Sequence, residues 1–297
     1  LTIFCEALPR IGAAKERSSD YASEALMGLH GMAGKVAIAQ MEDMRGIKTM
    51  LRVYNGEQKG ATAFFRNRPL LETLSNLLDA HPPGKIRILF HAVSVGAEVY
   101  SFVAWSMIRG LHQRFDLEFS ATDINQGFLD FARAARYPSV ILQTMTEEEK
   151  TYFEDVGNGE VSPVETVRNM VRFLPAMSYL DPLDEGTFDL VFVLNALTYV
   201  TEDQQGDVIA RIAGYNSRYL VVSAFHPDAI EAQMLQSGYS PVSDNIEAIH
   251  NGWHERIRSD IPAVRGTDAY SWALRPFSRT EGYQYKLCAI FERNDAA

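Results

Sequence analysis

A chain of 297 residues with 46% apolar content is long enough for one large α/β domain or two smaller ones, and it can supply a proper core. Its formal net charge of −10 and the lack of any Lys/Arg run argue against a surface that neutralises phosphates, so nucleic acid is not an expected partner. No apolar stretch approaches the roughly 18 residues of a membrane span, and Leu1-Thr2-Ile3-Phe4-Cys5 runs at once into Glu6, too short for a secretory core; a cytosolic protein without membrane insertion is the expectation.

Taken in chain order, residues 11 to 56 read as helical, because Tyr21-Ala22-Ser23-Glu24-Ala25-Leu26-Met27 and Val36-Ala37-Ile38-Ala39-Gln40-Met41 place apolar side chains three and four apart, with no proline between Pro9 and Pro69. This predicts a helical cap rather than a sheet over residues 1–80. A helix continues from Leu71 to Leu78 and stops at His81-Pro82-Pro83-Gly84, the clearest linker signal of the first half. A core domain over 81–297 follows, with strands at Ile86 to His91, Leu117 to Ala121, Phe188 to Leu194, Tyr219 to Ala224 and Tyr283 to Phe291. Helices fit Ala97 to Arg109, Asn125 to Ala135 and Glu202 to Ala213. Such alternation predicts an α/β fold with a doubly wound, mostly parallel sheet.

Residues of a different character fill the interval from about 138 to 184. Thr146-Glu147-Glu148-Glu149-Lys150 is a capped helix start, and Gly157-Asn158-Gly159 is a turn flanked by β-prone residues running to Val171-Arg172-Phe173. An inserted subdomain carrying a hairpin is expected. It either extends the sheet or faces the substrate, and in the second case an unpaired strand edge near Val161 to Phe173 would suit an added peptide strand.

Chemistry concentrates at Arg87-Ile88-Leu89-Phe90-His91-Ala92-Val93-Ser94-Val95-Gly96-Ala97-Glu98-Val99-Tyr100-Ser101 and at Ser120-Ala121-Thr122-Asp123-Ile124-Asn125. An apolar run that breaks at small residues, turns helical, and is followed by a second strand ending in a carboxylate reads as a nucleotide-binding β-α-β unit. Asp123 can accept from ribose hydroxyls. Because Ala92 and Ser94 stand where glycines are expected, a dinucleotide is disfavoured relative to S-adenosylmethionine, which has no pyrophosphate to cradle.

These pieces together resemble the chemotaxis-receptor glutamate methyltransferases, the CheR-type branch of the class I S-adenosylmethionine-dependent methyltransferases. The resemblance rests on Thr62-Ala63-Phe64-Phe65-Arg66, on Ser94 to Ser101, on Ala121-Thr122-Asp123-Ile124 with Ala132-Arg133 and Tyr137, on Thr146 to Phe153, and on Phe188 to Tyr199, in that order. It covers about Gly60 to His226 and marks the chain as a divergent member. The departures are Ala92-Val93 before the serine of the first loop, Ala97-Glu98 where the family has two glutamates, and Leu194-Asn195 where it has Arg-Asn. Met177 stands where the family has an asparagine near the adenine, and Ser223-Ala224-Phe225-His226-Pro227 replaces its His-Ser-Glu.

The resemblance implies transfer of a methyl group from S-adenosylmethionine, with S-adenosylhomocysteine as product, to a carboxylate, for instance a protein glutamate. It assigns Arg66 and Tyr199 to catalysis, and Thr62, Arg66, Ala92, Ser94, Gly96, Glu98, Asp123, Ile124, Asn195 and Ala196 to the donor. Physically, methyl transfer from a sulfonium needs alignment more than acid-base power, and the paired donors of Arg66 can hold a carboxylate within attack distance. Two alternatives stay open: a small-molecule acceptor on the same scaffold, favoured by the long extension after His226, and a catalytically silent sensor that only binds the cofactor. His226, His250 and His254 have no convincing metal spacing, and Cys5 and Cys288 read as ordinary thiols, so no metal site is expected. Trp253, Tyr270 and Trp272 are candidate walls of an acceptor pocket. Acceptor, oligomeric state and partner protein are not legible.

Overall fold

The computed structural model describes residues 27–28, 37–42, 48–55, 58–183, 186–194, 196–197, 200–223, 233–250, 252 and 289–294. Its centre is a seven-stranded sheet, built from β5 (Gly84–His91), β6 (Phe115–Thr122), β10 (Val171–Phe173), β11 (Leu190–Leu194), β12 (Tyr219–Ser223), β13 (Tyr239–Pro241) and β14 (Ile290–Arg293). They lie in the order β10-β6-β5-β11-β12-β14-β13. The first five are parallel, and β14 runs antiparallel to both β12 and β13. The doubly wound sheet is as the sequence predicts. Ile88, Leu89 and Phe90 are buried consecutively, as a central parallel strand covered on both faces requires. Phe90 stacks on Phe192 of β11 at 4.1 Å between ring centroids, which fixes the middle of the sheet.

Three helices follow the expected spans closely: α2 (Ala97–Ile108), α4 (Gln126–Ala134) and α7 (Glu202–Ala213). Before them, α1 (Arg68–Asp79) is capped by Asn67, whose side chain accepts from the Leu70 N–H at 3.1 Å. A short helix, α3 (Leu111–Arg114), leads into β6.

The amino-terminal expectation requires correction. Within residues 11–56 the described segments are strands, not helices: β1 (Met27–Gly28), β2 (Ala37–Glu42) and β3 (Lys48–Asn55), continued by β4 (Gln58–Thr62) in a four-stranded antiparallel sheet. The physical reason lies in Thr49, Val53 and Tyr54, β-branched and aromatic types that suit a pleated surface, and in the pairing of Asn55 with Gln58 across a two-residue connection that begins with a glycine.

The insertion carries its hairpin. Strand β7 (Tyr137–Pro138), β8 (Phe153–Gly157) and β9 (Glu160–Pro163) form a small antiparallel sheet in the order β7-β9-β8. Thr146 and Glu149 make the expected capping box at the start of α5 (Glu147–Lys150). Arg68 grips Glu149 with two bonds of 2.7 Å, tying α1 to this subdomain. Two expectations are revised. Strand β9 is the middle of its sheet, so the outer edge near the hairpin is β8. After the short helix α6 (Glu165–Asn169), β10 leaves the insertion to pair with β6 in the main sheet. No helix among the described residues is long and apolar enough to cross a membrane.

Candidate donor site

The strand order reverses between β5 and β11, and ligands of open α/β sheets bind outside the carboxyl ends of the strands at such a switch point. The loop leaving β5 has the shape of a glycine-rich turn built largely without glycines. Ala92 (φ 67°) and Ser94 (φ 52°) occupy left-handed backbone, as does Gly96 (φ 89°). Gly96 alone is also limited by space. A Cβ there would lie 3.1 Å from Ala132 Cβ, 3.1 Å from Tyr100 Cε2 and 3.2 Å from the Tyr137 hydroxyl. Those neighbours hold the loop in turn: the Tyr137 hydroxyl donates to the Val95 carbonyl at 2.5 Å and the Tyr100 hydroxyl to the Ala132 carbonyl at 2.8 Å.

Asp123 follows the end of β6 and is 6% exposed. Its carboxylate accepts from the backbone N–H of Ser94 at 2.8 Å and of Asn125 at 2.9 Å, and a further backbone N–H, that of Ile124, bonds to it as well. Burial pushes its carboxyl above the ordinary range, while the three N–H groups pull the other way. A carboxylate has about four lone-pair sites, so Asp123 bolts the two loops together and keeps capacity for a further donor. Asn125, not Asp123, caps α4, through its side-chain oxygen and the Phe128 N–H at 3.1 Å. Ile124 stands beside them 62% exposed, an apolar side chain at the rim of the crevice. The Ser94 hydroxyl oxygen is buried without a hydrogen-bond partner.

At the other end of the first loop, Glu98 sits in the first turn of α2, where a negative charge is favoured. Its carboxylate accepts from the Thr62 hydroxyl, and Arg66 Nη1 lies 3.6 Å from its other oxygen. The Arg66 side chain is only 9% exposed. Phe65, with φ 47°, donates its N–H to the Ser101 hydroxyl at 2.8 Å, and this turn aims Arg66 at α2 rather than at solvent. Thr62, Arg66 and Glu98 are thus brought together, and Ser94, Gly96 and Asp123 form a second group joined to them by the loop. Ala196 is half-buried after β11. Asn195 and Tyr199 lie outside the described residues, as do His226, His254, Trp253, Tyr270, Trp272, Cys5 and Cys288. His250 is fully buried in the core.

Sequence reasoning missed a buried polar cluster on this side of the sheet. His91, the last residue of β5, lies 4.4 Å from the Tyr179 ring and 6.3 Å from the Tyr215 ring, centroid to centroid. Its Nε2 and both phenolic oxygens are buried without hydrogen-bond partners. Desolvation lowers the His91 pKa to about 4, against a smaller opposing pull from Asp181, so the ring is neutral at physiological pH. The segment after β10 brings Tyr179 here over a long sequence separation, and no local signal announces it.

Residues 60–223, more than half of the chain, match the family described as CheR methyltransferase, SAM binding domain. Chemotaxis protein methyltransferase 1 of Vibrio cholerae is 31% identical over 134 residues, which are 43% of this chain and 48% of that protein. Chemotaxis protein methyltransferase 2 of Pseudomonas aeruginosa is 30% identical over 202 residues, 61% of this chain and 69% of that protein. The chain therefore spans about half the length of the first of these relatives and about two thirds of the second. Among solved structures, geranyl diphosphate methyltransferase in complex with SAM aligns with a TM-score of 0.39 at 13% identity, covering 75% of this chain and 81% of that one. By the family match and the Pseudomonas relative, the chain belongs to the CheR methyltransferase family, over the part of it that binds S-adenosylmethionine.

Proposed function

We propose that this protein transfers the methyl group of S-adenosylmethionine to a carboxylate acceptor. The observation that carries the acceptor class is Arg66, a guanidinium held 9% exposed beside Glu98 at the end of the first loop. Its planar fork of donors matches a carboxylate in a way that a lysine would not. When bound, S-adenosylmethionine supplies a methyl group already activated by its sulfonium leaving group. The residues present fit such a donor: Asp123 has acceptor capacity for a ribose hydroxyl, exposed Ile124 offers an apolar wall for the base, and the buried Ser94 hydroxyl lacks a partner that a ligand can provide. Gly96 keeps the loop close, and Ala92 and Ala196 leave the backbone accessible. Thr62 donates to Glu98, whose carboxylate would suit the cationic amino group of the donor. Asn195 and Tyr199 are assigned to the donor and the acceptor by family resemblance alone.

Alignment is the main task left to the protein. An ionised carboxylate is a competent nucleophile at neutral pH, so no general base is required, and Arg66 contributes by holding the acceptor oxygen in line. A cytosolic setting belongs to the same reading.

A second reading concerns acceptor size. Asn67, next in the chain to Arg66, donates to the Ile249 carbonyl at 2.9 Å, and Asn245 donates to Thr73 Oγ1 at 3.2 Å. Residues 245–249 are thereby docked on α1 and the residue before it, which favours a small carboxylic acid over a protein glutamate. One experiment tests acceptor class and size together. The protein is incubated with S-adenosylmethionine labelled in the methyl group and a fractionated extract, and the products are then exposed to mild base. A methyl ester releases volatile methanol, so base-stable label overturns the carboxylate reading. Label in the macromolecular fraction supports a protein acceptor, and label in the low-mass fraction a small acid.

A further inference from the structure

The β3–β4 hairpin touches both groups of donor-site residues. In its register Leu51 faces Thr62 at one end and Asn55 faces Gln58 at the other, so the two ends lie four residue steps, roughly 13 Å, apart at the usual rise per residue. At the Thr62 end the hydroxyl donates to Glu98, in the helix turn that follows the first loop. At the Asn55 end the side-chain Nδ2 donates to Asn125 Oδ1 at 2.6 Å. That oxygen also accepts from the Phe128 N–H, and the Asn125 backbone N–H donates to Asp123 at 2.9 Å. Asn55 therefore reaches the ribose-binding carboxylate through a single intermediary.

The contact is supported from the opposite side by a glycine whose missing Cβ leaves room both for Asn55 and for the Asn125 side-chain oxygen, which a Cβ would approach to 3.2 Å. Gly127, in the first turn of α4, has ordinary helical backbone, yet a Cβ there would lie 2.2 Å from Asn55 Nδ2 and 3.0 Å from its Cγ. Any side chain at 127 displaces Asn55. A glycine costs helix stability relative to alanine by about 1 kcal/mol, and here the cost is offset by the approach of the hairpin.

We infer that the β3–β4 hairpin walls the donor crevice, and that Asn55 is a positioning residue that holds the Asp123–Asn125 turn in the form that receives the ribose. This rests on the donor-site reading above. Asn55 touches no reacting atom; it acts by giving the Asn125 side-chain oxygen a second donor beside the Phe128 N–H, which favours the Asn125 rotamer seen at the turn.

The test is calorimetric binding of S-adenosylhomocysteine and of its 3′-deoxyribose analogue to the full chain, in Asn55→Ala, Gly127→Ala and the double variant, with urea midpoints recorded alongside. Each single variant is expected to weaken S-adenosylhomocysteine by roughly two- to tenfold, the range of one neutral hydrogen bond. Each should bind the 3′-deoxy analogue nearly as the natural protein does. The double variant should fall clearly short of the sum of the two single effects, since both break the same contact. Equal weakening of both ligands, additive effects in the double variant, or unchanged affinity in either folded single variant overturns the role of Asn55. Should Asn55→Ala not fold, Asn55→Ser, too short to reach Asn125, is read in the same way. Failure of the natural protein to bind S-adenosylhomocysteine counts instead against the donor site itself.

Discussion

The backbone N–H of Ser94 donates to Oδ2 of Asp123 at 2.8 Å, so the carboxylate assigned to the ribose also locks the loop after β5 to the loop after β6. On the proposed reading one residue carries a structural and a ligand-binding duty, and a substitution there is expected to show both. Asp123→Asn exchanges an acceptor oxygen for an NH₂ group facing backbone N–H donors. The expected outcome is a loss of about 1.5–3 kcal/mol in S-adenosylhomocysteine affinity, the range for hydrogen bonds to a charged group, with a lowered urea midpoint. Calorimetry that finds unchanged affinity in a folded variant removes Asp123 from the donor site.

In the proposed function Arg66 separates binding from chemistry. Arg66→Ala leaves the contacts of Asp123 and Ile124 in place, so donor affinity should change little, while methyl transfer should fall by about a hundredfold, the scale of a misplaced reactant. Arg66→Lys keeps the charge beside Glu98 but loses the paired fork, and its rate should lie between the two. Equal effects on donor affinity and on turnover would show that Arg66 serves the donor and not the acceptor.

The parts of this fold that were legible are those where one physical signal dominates. Ile88 to Phe90 and Leu190 to Val193 are continuous apolar runs of strand length bounded by turns, and they are central parallel strands. Thr146 with Glu149 is a capping box by sequence and by contact. The amino-terminal sheet was read as helix because Ala37-Ile38-Ala39-Gln40-Met41 satisfies a three-and-four spacing as well as a two-residue one; Val53, Tyr54 and the Asn55-Gly56 pair were the signals that could have decided it. Strand β10 has only three residues, and pairing with β6 across about fifty positions makes it a strand, which no local pattern encodes. At the site, the residue types near Asp123 and Glu98 were readable. The left-handed Ala92 and Ser94 were recognisable only as missing glycines, and the meeting of His91 with Tyr179 and Tyr215 depends on tertiary structure alone.

That meeting gives the protein a defined acid limb. Burial holds the pKa of His91 at about 4, below the ordinary value of 6.5, so folding favours the neutral ring. Its contribution is fully present above about pH 6.5 and is lost as pH falls toward 4. The limit of that loss is about 3 kcal/mol, from the difference of about 2.5 units at 1.36 kcal/mol each. Urea midpoints measured between pH 7 and pH 4.5 should drop more steeply for the natural protein than for His91→Phe, which packs a ring against Tyr179 and cannot be protonated. Parallel pH profiles would show that His91 is not the group responsible.

Two substitutions in one loop should act with opposite sign. Gly96 (φ 89°) is held at 3.1 to 3.2 Å from Ala132, Tyr100 and Tyr137 at the position a Cβ would take, so Gly96→Ala adds both backbone strain and a clash. A loss of about 2–4 kcal/mol is expected, together with displacement of Tyr137 from the Val95 carbonyl it bonds. Ala92 (φ 67°) already bears the left-handed penalty, which a glycine would relieve, against the greater freedom a glycine gives the unfolded chain. Because the penalty for a non-glycine residue is about 1–2 kcal/mol and the unfolded-state term about 0.4–1 kcal/mol, Ala92→Gly should gain about 0.5–1 kcal/mol. Denaturation by urea measures both. A destabilised Ala92→Gly variant would mean that the alanine methyl makes a packing contact worth more than the strain it imposes, and the loop would then be held by side-chain contacts and not by backbone geometry.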